Sequence, residues 1–253
     1  MSIRGQILVL GLCLLLTGIP QVRAASPAAV EFSADTVQTD PQKNQRVGHI
    51  FVGKNRVRSE SEQNGQPVVS IVDTDSGVTW VLYPRQGSYI EYRMGSGQPV
   101  AEAGSPCAGV PGARCKKLGD ETLHGRPATK WQVSMPSQKG AVQSTQWIGK
   151  QHSILLRQEV KDGPVMEQRM LQVEQFDGRT VEKWEMTVSQ GDQPVQRSLR
   201  WFDPQLNLAI REESPLGYVR ELRNITIAPQ NPGLFQVPAE FRKIVPQQQS
   251  QKR

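Results

Sequence analysis

The residues of this chain that could do chemistry are its histidines, its serines and its paired carboxylates. The three histidines, His49, His124 and His152, are far apart, and none has a metal-ligand spacing such as HExxH. No G-x-S-x-G nucleophile motif is present, and the glycine-rich stretches do not open helices. Neighbouring carboxylates such as Glu212 and Glu213 are typical of strand ends and turns. The sequence therefore predicts no enzyme, no cofactor, and no catalytic or metal-binding residue.

The cysteines point to structure rather than to catalysis. Cys107 and Cys115 lie in a stretch rich in proline and glycine, and they form an even pair once a leader containing Cys13 is removed. Such a pair in an exported protein predicts a structural disulfide. A metal or redox pair is the alternative, but seven intervening residues match neither C-x-x-C nor zinc spacing, and no histidine lies between them.

The first 24 residues have the pattern of a secretory signal. Arg4 supplies a positive charge, an apolar run follows from 7 to 16, Pro20 breaks it, and Ala24 is a small residue at the expected cleavage point. A run of about ten residues is too short to span a bilayer, which needs roughly 20. We therefore expect a periplasmic protein that is cleaved near Ala24, with an uncleaved signal anchor as the alternative.

Composition limits the class of protein and its partners. The chain has 253 residues, 37% hydrophobic and 21% charged, which excludes a collagen, a multi-span membrane protein and a wholly disordered chain. The formal net charge of +6 falls to +4 without Arg4 and Arg23. Because the basic residues are spread among acidic ones, we expect no nucleic-acid partner.

Short strands separated by turns fill the chain after residue 28. Each is rich in Val, Ile, Tyr or Trp, and turn residues such as Asn64-Gly65 separate neighbours, which favours an antiparallel meander. The predicted strands of the first part are 29–36, 47–52, 56–62, 67–73, 78–83 and 88–93. No sustained helical period is present outside the leader.

Several of these strands are apolar on both faces. In the strand 78–83, Trp80 and Leu82 share one face, and Val81 and Tyr83 share the other. A sheet with one wet face would alternate more cleanly. Either the second face is covered, by a helix or by the curvature of the sheet, or it lines an apolar cavity.

An internal repeat organises the second half. His124–Trp131 aligns with Asp177–Trp184 at an offset of 53, and at an offset of 54 Trp147 meets Trp201. We expect two copies of a four-strand unit, about 118–175 and 176–229, that extend the sheet toward a barrel or half-barrel. The predicted organisation, with one continuous domain favoured over two, is a signal peptide (1–24), an N-terminal β-meander (25–94), a disulfide loop (95–117), two β repeats (118–175 and 176–244) and a disordered tail (245–253).

Short motifs in the first and last parts of the chain carry a family resemblance. They are Gly48-His49-Ile50-Phe51-Val52, Trp80-Val81-Leu82-Tyr83-Pro84, Tyr89-Ile90-Glu91 and the closing Leu234-Phe235-Gln236-Val237-Pro238. The chain resembles exported bacterial proteins of a domain-of-unknown-function family related to the LolA and LolB outer-membrane lipoprotein carriers. The resemblance implies a mainly β fold, a curved antiparallel sheet forming an incomplete barrel, whose concave apolar face holds acyl chains in the carriers. No functional residue of the carriers falls on a matching motif.

Two hypotheses follow. The first is a non-enzymatic periplasmic protein that binds or carries a lipid or a lipoprotein acyl chain, with a weakly charged cavity and five candidate ligand-facing residues, Trp80, Leu82, Tyr83, Trp131 and Trp184. The simpler interpretation of the tryptophans is that they anchor the core. The second is an envelope interaction module that docks a partner chain through a sheet edge, favoured by a continuous exposed edge free of Pro and Lys. The oligomeric state is left open.

Overall fold

The computed structural model describes residues 30–93, 105–107, 110, 112–137, 140–151 and 153–245. The predicted signal peptide, the first part of the disulfide loop and all but the first residue of the predicted tail lie outside these residues. His152 does as well.

Strands account for nearly all of the regular structure. Sixteen are described: β1 Phe32–Thr39, β2 Gln45–Val52, β3 Arg56–Gln63, β4 Gln66–Asp73, β5 Val78–Tyr83, β6 Ser88–Arg93, β7 Arg114–Leu123, β8 Arg126–Ser137, β9 Gly140–Gly149, β10 Leu155–Val160, β11 Val165–Phe176, β12 Arg179–Ser189, β13 Gln196–Asp203, β14 Leu208–Glu213, β15 Val219–Ile227 and β16 Arg242–Lys243. Two 3₁₀ turns, Pro84–Gln86 and Pro232–Phe235, are the only helical segments of the described part of the chain. No helix among those residues is long and apolar enough to cross a membrane.

All sixteen strands belong to one sheet. Its order is β16-β6-β5-β4-β3-β2-β1-β15-β14-β13-β12-β11-β10-β9-β8-β7, so the pairing of β1 with β15 joins two meanders. Every pairing is antiparallel except the short one between β16 and β6. The outer strands β7 and β16 do not pair, and the sheet stays open. The prediction of a mainly β, antiparallel and incompletely closed sheet is confirmed.

Local turn chemistry explains the meander. Asn64-Gly65, His124-Gly125 and Asp177-Gly178 join successive strands, and all six residues have positive φ, between 49° and 74°. Two-residue turns of this kind match the twist of paired strands, and glycine adopts them without steric cost.

The sheet turns a corner at two places. β10 pairs with β11 only from 157–159 to 165–167, and β14 pairs with β15 only from 211–213 to 219–221. The corners divide the strands into three layers. The first layer is β7–β10, the second is β11–β14, and the third is β15 with β1–β6.

Buried side chains join neighbouring layers. Between the first and second layers one cluster contains Ala128, Trp147, Leu156, Trp184 and Phe202. Between the second and third layers another contains Phe32, Ala34, Val52, Val181, Trp201, Leu206, Ile210 and Leu222. The strand register places Trp147 and Trp184 on opposite faces of the continuous sheet. Because both belong to the same cluster, the face that carries Trp147 in the first layer packs against the opposite face, which carries Trp184, in the second layer.

The two ends of this stack are covered by irregular segments. Cys107 lies on the outer face of the first layer with Trp131, Val133 and Ile148. On the outer face of the third layer, Phe235 packs on Val69, Ile71 and Leu82. Strands that are apolar on both faces are therefore covered on both faces. Neighbouring layers cover the inner faces, and the segments that contain Cys107 and Phe235 cover the outer faces of the first and third layers.

Candidate functional site: the strap face

The outer face of the third layer is an apolar surface that no other layer covers. Cross-strand pairs place its side chains on one side of the sheet, because Phe51 is opposite Arg58, Arg58 opposite Ile71, and Ile71 opposite Trp80. We call this surface the strap face and define it by Phe51, Val69, Ile71, Trp80, Leu82 and Tyr89. Antiparallel neighbours on one face have side chains close enough to form a continuous patch.

A C-terminal segment, residues 232–244, covers this face, and we call it the strap. Its apolar side chains that pack there are Leu234, Phe235, Val237 and Phe241. Phe235 is 5% exposed. A Cβ on Gly53 would stand 3.1 Å from the Phe235 ring, so a glycine at that position makes room for it.

Non-covalent contacts hold the strap in place. The backbone N–H of Arg242 donates to Gly87 O at 2.9 Å, and that of Ile244 donates to Tyr89 O at 2.8 Å. Lys243 Nζ lies 3.1 Å from the Glu91 carboxylate. In contrast, Cys107 and Cys115 form a disulfide at the other end of the stack, as predicted.

The first two layers share an arrangement of aromatic ring, arginine and carboxylates. Arg157 is opposite Trp147 and Glu167, and its guanidinium donates to Glu167 at 2.7 Å and to Glu159 at 2.9 Å. Its guanidinium carbon stands 5.7 Å from the ring centroid of Trp147.

The second layer repeats these contacts. Arg211 is opposite Trp201 and Glu221, and it donates to Glu221 and to Glu213. Its guanidinium carbon stands 5.4 Å from the ring centroid of Trp201. Arg157 and Arg211 therefore make equivalent contacts in the two layers.

The indole N–H groups of these layers also have equivalent acceptors. Trp147 donates to Glu121 at 2.7 Å, and Trp201 donates to Glu174 at 2.5 Å. The Trp147 hydrogen bond and Lys130 lower the pKa of Glu121. Gln172 and the Trp201 hydrogen bond lower the pKa of Glu174. Both carboxylates are therefore held in the ionised form.

The third layer keeps the arginine but loses the facing carboxylate. Arg58 is opposite Phe51 and Ile71, so an isoleucine occupies the place that Glu167 and Glu221 have in the other layers. Arg58 still donates to Glu60, at 2.6 Å. Its Nη1 donates instead to the strap, to Leu234 O at 2.9 Å.

The structure brings together only two of the five candidate ligand-facing residues. Trp80 and Leu82 lie on the strap face, Leu82 is fully buried, and Trp80 Nε1 donates to Glu91 at 3.3 Å. Tyr83 is half-buried on the opposite face of the same strand.

The other two candidates lie in core clusters elsewhere. Trp131 is 3% exposed beneath Cys107, and its Nε1 has no hydrogen-bond partner among the residues that the structure describes. Trp184 is 2% exposed between the first and second layers, and it donates to Glu182 at 3.0 Å.

Sequence reasoning missed Arg58 and the strap. The motif around Leu234 and Phe235 was visible, as was the alternation that places Arg58 beside apolar strands. What the sequence lacks is any local sign that residues near 235 return to strands near 70.

Two depressions are open to solvent. One, of about 500 Å³, lies between hairpin tips and is lined by Pro194, Val195, Arg197 and Pro215. The other, also about 500 Å³, has charged walls that include Asp177, Arg211, Glu221 and Arg223. Neither is an enclosed apolar cavity. No group of three or more potential metal ligands occurs among the described residues.

Comparison with known proteins gives structural neighbours but no family model and no curated relative, since neither of those matches the chain. A putative outer membrane lipoprotein-sorting protein domain from Vibrio parahaemolyticus aligns at 10% identity over 82% of this chain and 90% of that chain, with a TM-score of 0.36. A LolA superfamily protein from Nitrosomonas europaea aligns at 9% identity over 82% and 90%, with a TM-score of 0.39. A DUF1329 family protein from Desulfovibrio piger aligns at 13% identity over 83% and 90%, with a TM-score of 0.32.

These neighbours include LolA-related proteins and a domain-of-unknown-function family, as the sequence motifs predict. At such low identities and TM-scores the likeness says nothing about a ligand. A function for this chain has to rest on its own contacts.

Proposed function

We propose that this protein is a non-enzymatic, exported amphiphile-binding protein, and that the amphiphile binds on the strap face when the strap moves away. The observation that carries the proposal is the hydrogen bond from Arg58 to a strap carbonyl, beside an apolar patch. The equivalent arginines of the other layers are saturated by carboxylates of the sheet itself. Arg58 alone of the three depends on a segment that can leave.

The strap resembles a bound amphiphile in its chemistry. Its side chains Leu234, Phe235, Val237 and Phe241 supply apolar groups to Val69, Ile71 and Leu82, and its Leu234 carbonyl supplies the acceptor for Arg58. An acyl chain would replace the side chains at similar apolar burial, worth about 25 cal/mol per Å². An ester carbonyl or anionic headgroup would replace the carbonyl.

Arg58 is suited to that headgroup. Its side chain is 17% exposed, and it is oriented by Glu60. A guanidinium offers several donors in a fixed plane and stays charged, so it binds a carboxylate or phosphate in two-pronged geometry. An isoleucine at position 71 leaves no competing carboxylate on the facing strand.

The ligand class is a lipid or the acylated end of a lipoprotein, bound in the periplasm after export. The disulfide between Cys107 and Cys115 supports an oxidising compartment. Strap exchange for an amphiphile needs no cofactor and no covalent step.

The test begins with the chain purified from the periplasm without detergent, examined by native mass spectrometry and lipid extraction, and then titrated with a fluorescent fatty acid. Phe235→Ala loosens the strap and is expected to strengthen probe binding. Arg58→Gln is expected to weaken it about tenfold, because an anionic headgroup loses an ion pair whereas the strap loses a weaker hydrogen bond to a neutral carbonyl. Arg157→Gln removes an equivalent arginine far from the strap face and serves as the matched control.

The proposal is wrong if no lipid co-purifies and Phe235→Ala binds the probe no better than the unchanged chain. It is also wrong if Arg58→Gln and Arg157→Gln change probe affinity equally. Circular dichroism of each variant separates a binding defect from a folding defect.

Docking of a partner through an outer edge of the sheet is less well supported. β7 carries Lys116 and Lys117 and has a register shift before Gly119. β16 is two residues long and contains Lys243. Lysines, bulges and short strands at an edge all oppose the addition of another strand.

A further inference from the structure

A different edge, inside the sheet, is open. β11 pairs with β12 along its whole length, from Val165 to Phe176, but pairs with β10 only through Glu167. Among the described residues no other strand pairs with 168–176 on that side. This segment, which we call the inner edge, includes Leu171 at 41% exposure and Val173 at 58%.

The inner edge lacks two of the features that protect the outer edges, lysines and short length, although it has one bulge, at Leu171. Its sequence, Gln168-Arg169-Met170-Leu171-Gln172-Val173-Glu174-Gln175-Phe176, has neither Pro nor Lys. It is nine residues long, enough for a stable ladder. Edges of this kind are templates for another strand.

We propose that the inner edge pairs with the inner edge of a second copy of this chain, giving a twofold-symmetric antiparallel dimer. One register, centred on the bulged Leu171 and Gln172 of both copies, places Arg169 opposite Glu174 of the partner copy and Met170 opposite its Val173. Twofold symmetry repeats each pair, so four of the contacts are complementary in charge or apolarity. Gln168 then faces Gln175, and no like charges are opposed.

The bulge in β11 makes this register possible. Twofold antiparallel pairing requires opposed residues to lie on the same face of the sheet. Pairing with β12 is shifted between Met170 and Gln172, so Leu171 is the extra residue. Because of it, Met170 and Val173 share one face, and Arg169 and Glu174 share the other. In a strand without the bulge, residues three or five apart would lie on opposite faces.

The surface is separate from the strap face, so the dimer and the amphiphile can be tested independently. The chain purified from the periplasm is examined by analytical ultracentrifugation over a range of concentrations, without ligand. The expected result is a concentration-dependent dimer. Val173→Lys and Arg169→Glu are each expected to raise its dissociation constant about tenfold or more, since either places like or unpaired charges at two symmetric points.

Matched controls come from the same sheet. Arg197→Glu removes a partner of Glu185 at 3.1 Å, as Arg169→Glu removes one at 3.2 Å, but it lies away from the inner edge. Val142→Lys adds a lysine at a residue that is 42% exposed on β9. A monomer at all concentrations overturns the proposal. So does a dimer that the controls weaken as much as the inner-edge variants do.

Discussion

The second and third layers place an arginine at the same point of the sheet and surround it with opposite chemistry. Arg211 is enclosed by Glu213 and Glu221 on its own and the facing strand. Arg58 faces Ile71, and its remaining donor goes to the strap. In the second layer the arginine therefore finds its ion-pair partners within the sheet. In the third layer an isoleucine replaces one of those carboxylates, and the arginine donates to the strap instead. That dependence is what makes the strap face a candidate for binding.

Of the substitutions considered, the replacement of Phe235 in the strap is expected to change the free energy of unfolding most. Phe235→Ala deletes a buried ring from the strap face and is expected to lower the free energy of unfolding by about 3–5 kcal/mol. Urea unfolding followed by tryptophan fluorescence measures it. A loss below about 1 kcal/mol would mean that the strap is not packed as the contacts indicate.

The disulfide at the opposite end of the stack gives the covalent counterpart. Replacing both Cys107 and Cys115 with serine is expected to cost about 2–3 kcal/mol, because the unfolded chain gains the freedom that the closed loop denies it. The same unfolding experiment applies. If reduction of the unchanged protein does not lower its free energy of unfolding, the disulfide does not stabilise the first layer.

The arginines should then differ between layers. Arg211→Gln removes one of the two arginine partners of the Glu221 side chain, which is 9% exposed, and is expected to cost about 1.5–3 kcal/mol, the loss of a charged hydrogen bond. Arg58→Gln strips no buried carboxylate, since Glu60 is one-third exposed, and is expected to cost about 1 kcal/mol or less. Equal costs would show that the two environments do not differ energetically.

Much of the fold was predictable, because strand and turn signals are local. Expected strands such as 78–83 and 88–93 match β5 and β6, and Asn64-Gly65 is a turn with positive φ at both residues. The corners were not predictable. A break after three paired residues depends on how one layer packs on the next, and no residue pattern in β10 or β11 marks it.

The candidate site was predictable only in part. Apolar alternation placed Trp80 and Leu82 on one face, where they lie. Trp131 and Trp184 have the same local pattern but are buried against other segments. What covers an apolar face is a contact between residues far apart in sequence, such as Arg58 and Leu234, separated by 176 positions.

The two equivalent tryptophans should sharpen the comparison between the first and second layers. Trp184→Phe removes the donor to buried Glu182, whereas Trp131→Phe removes an N–H that no described residue accepts. Since the volume lost is the same, the first variant is expected to be less stable than the second by about 1–2 kcal/mol. Thermal and urea unfolding of both proteins measures the difference. A reversed order would show that the Trp131 N–H has an acceptor in solution.

Acid should act on the strap through Glu91. Its pKa is lowered from 4.5 chiefly by hydrogen bonds from Arg93 and from Lys243 of the strap, with a smaller one from Trp80. A carboxyl whose pKa is lower in the folded state stabilises the fold above its unfolded pKa and loses that contribution as pH falls through its folded value. We therefore expect Glu91→Gln to be less stable than the unchanged chain near neutral pH, and the gap to close well below pH 4.5. A gap that stays constant with pH would mean that neither Arg93 nor Lys243 of the strap stabilises the ionised Glu91.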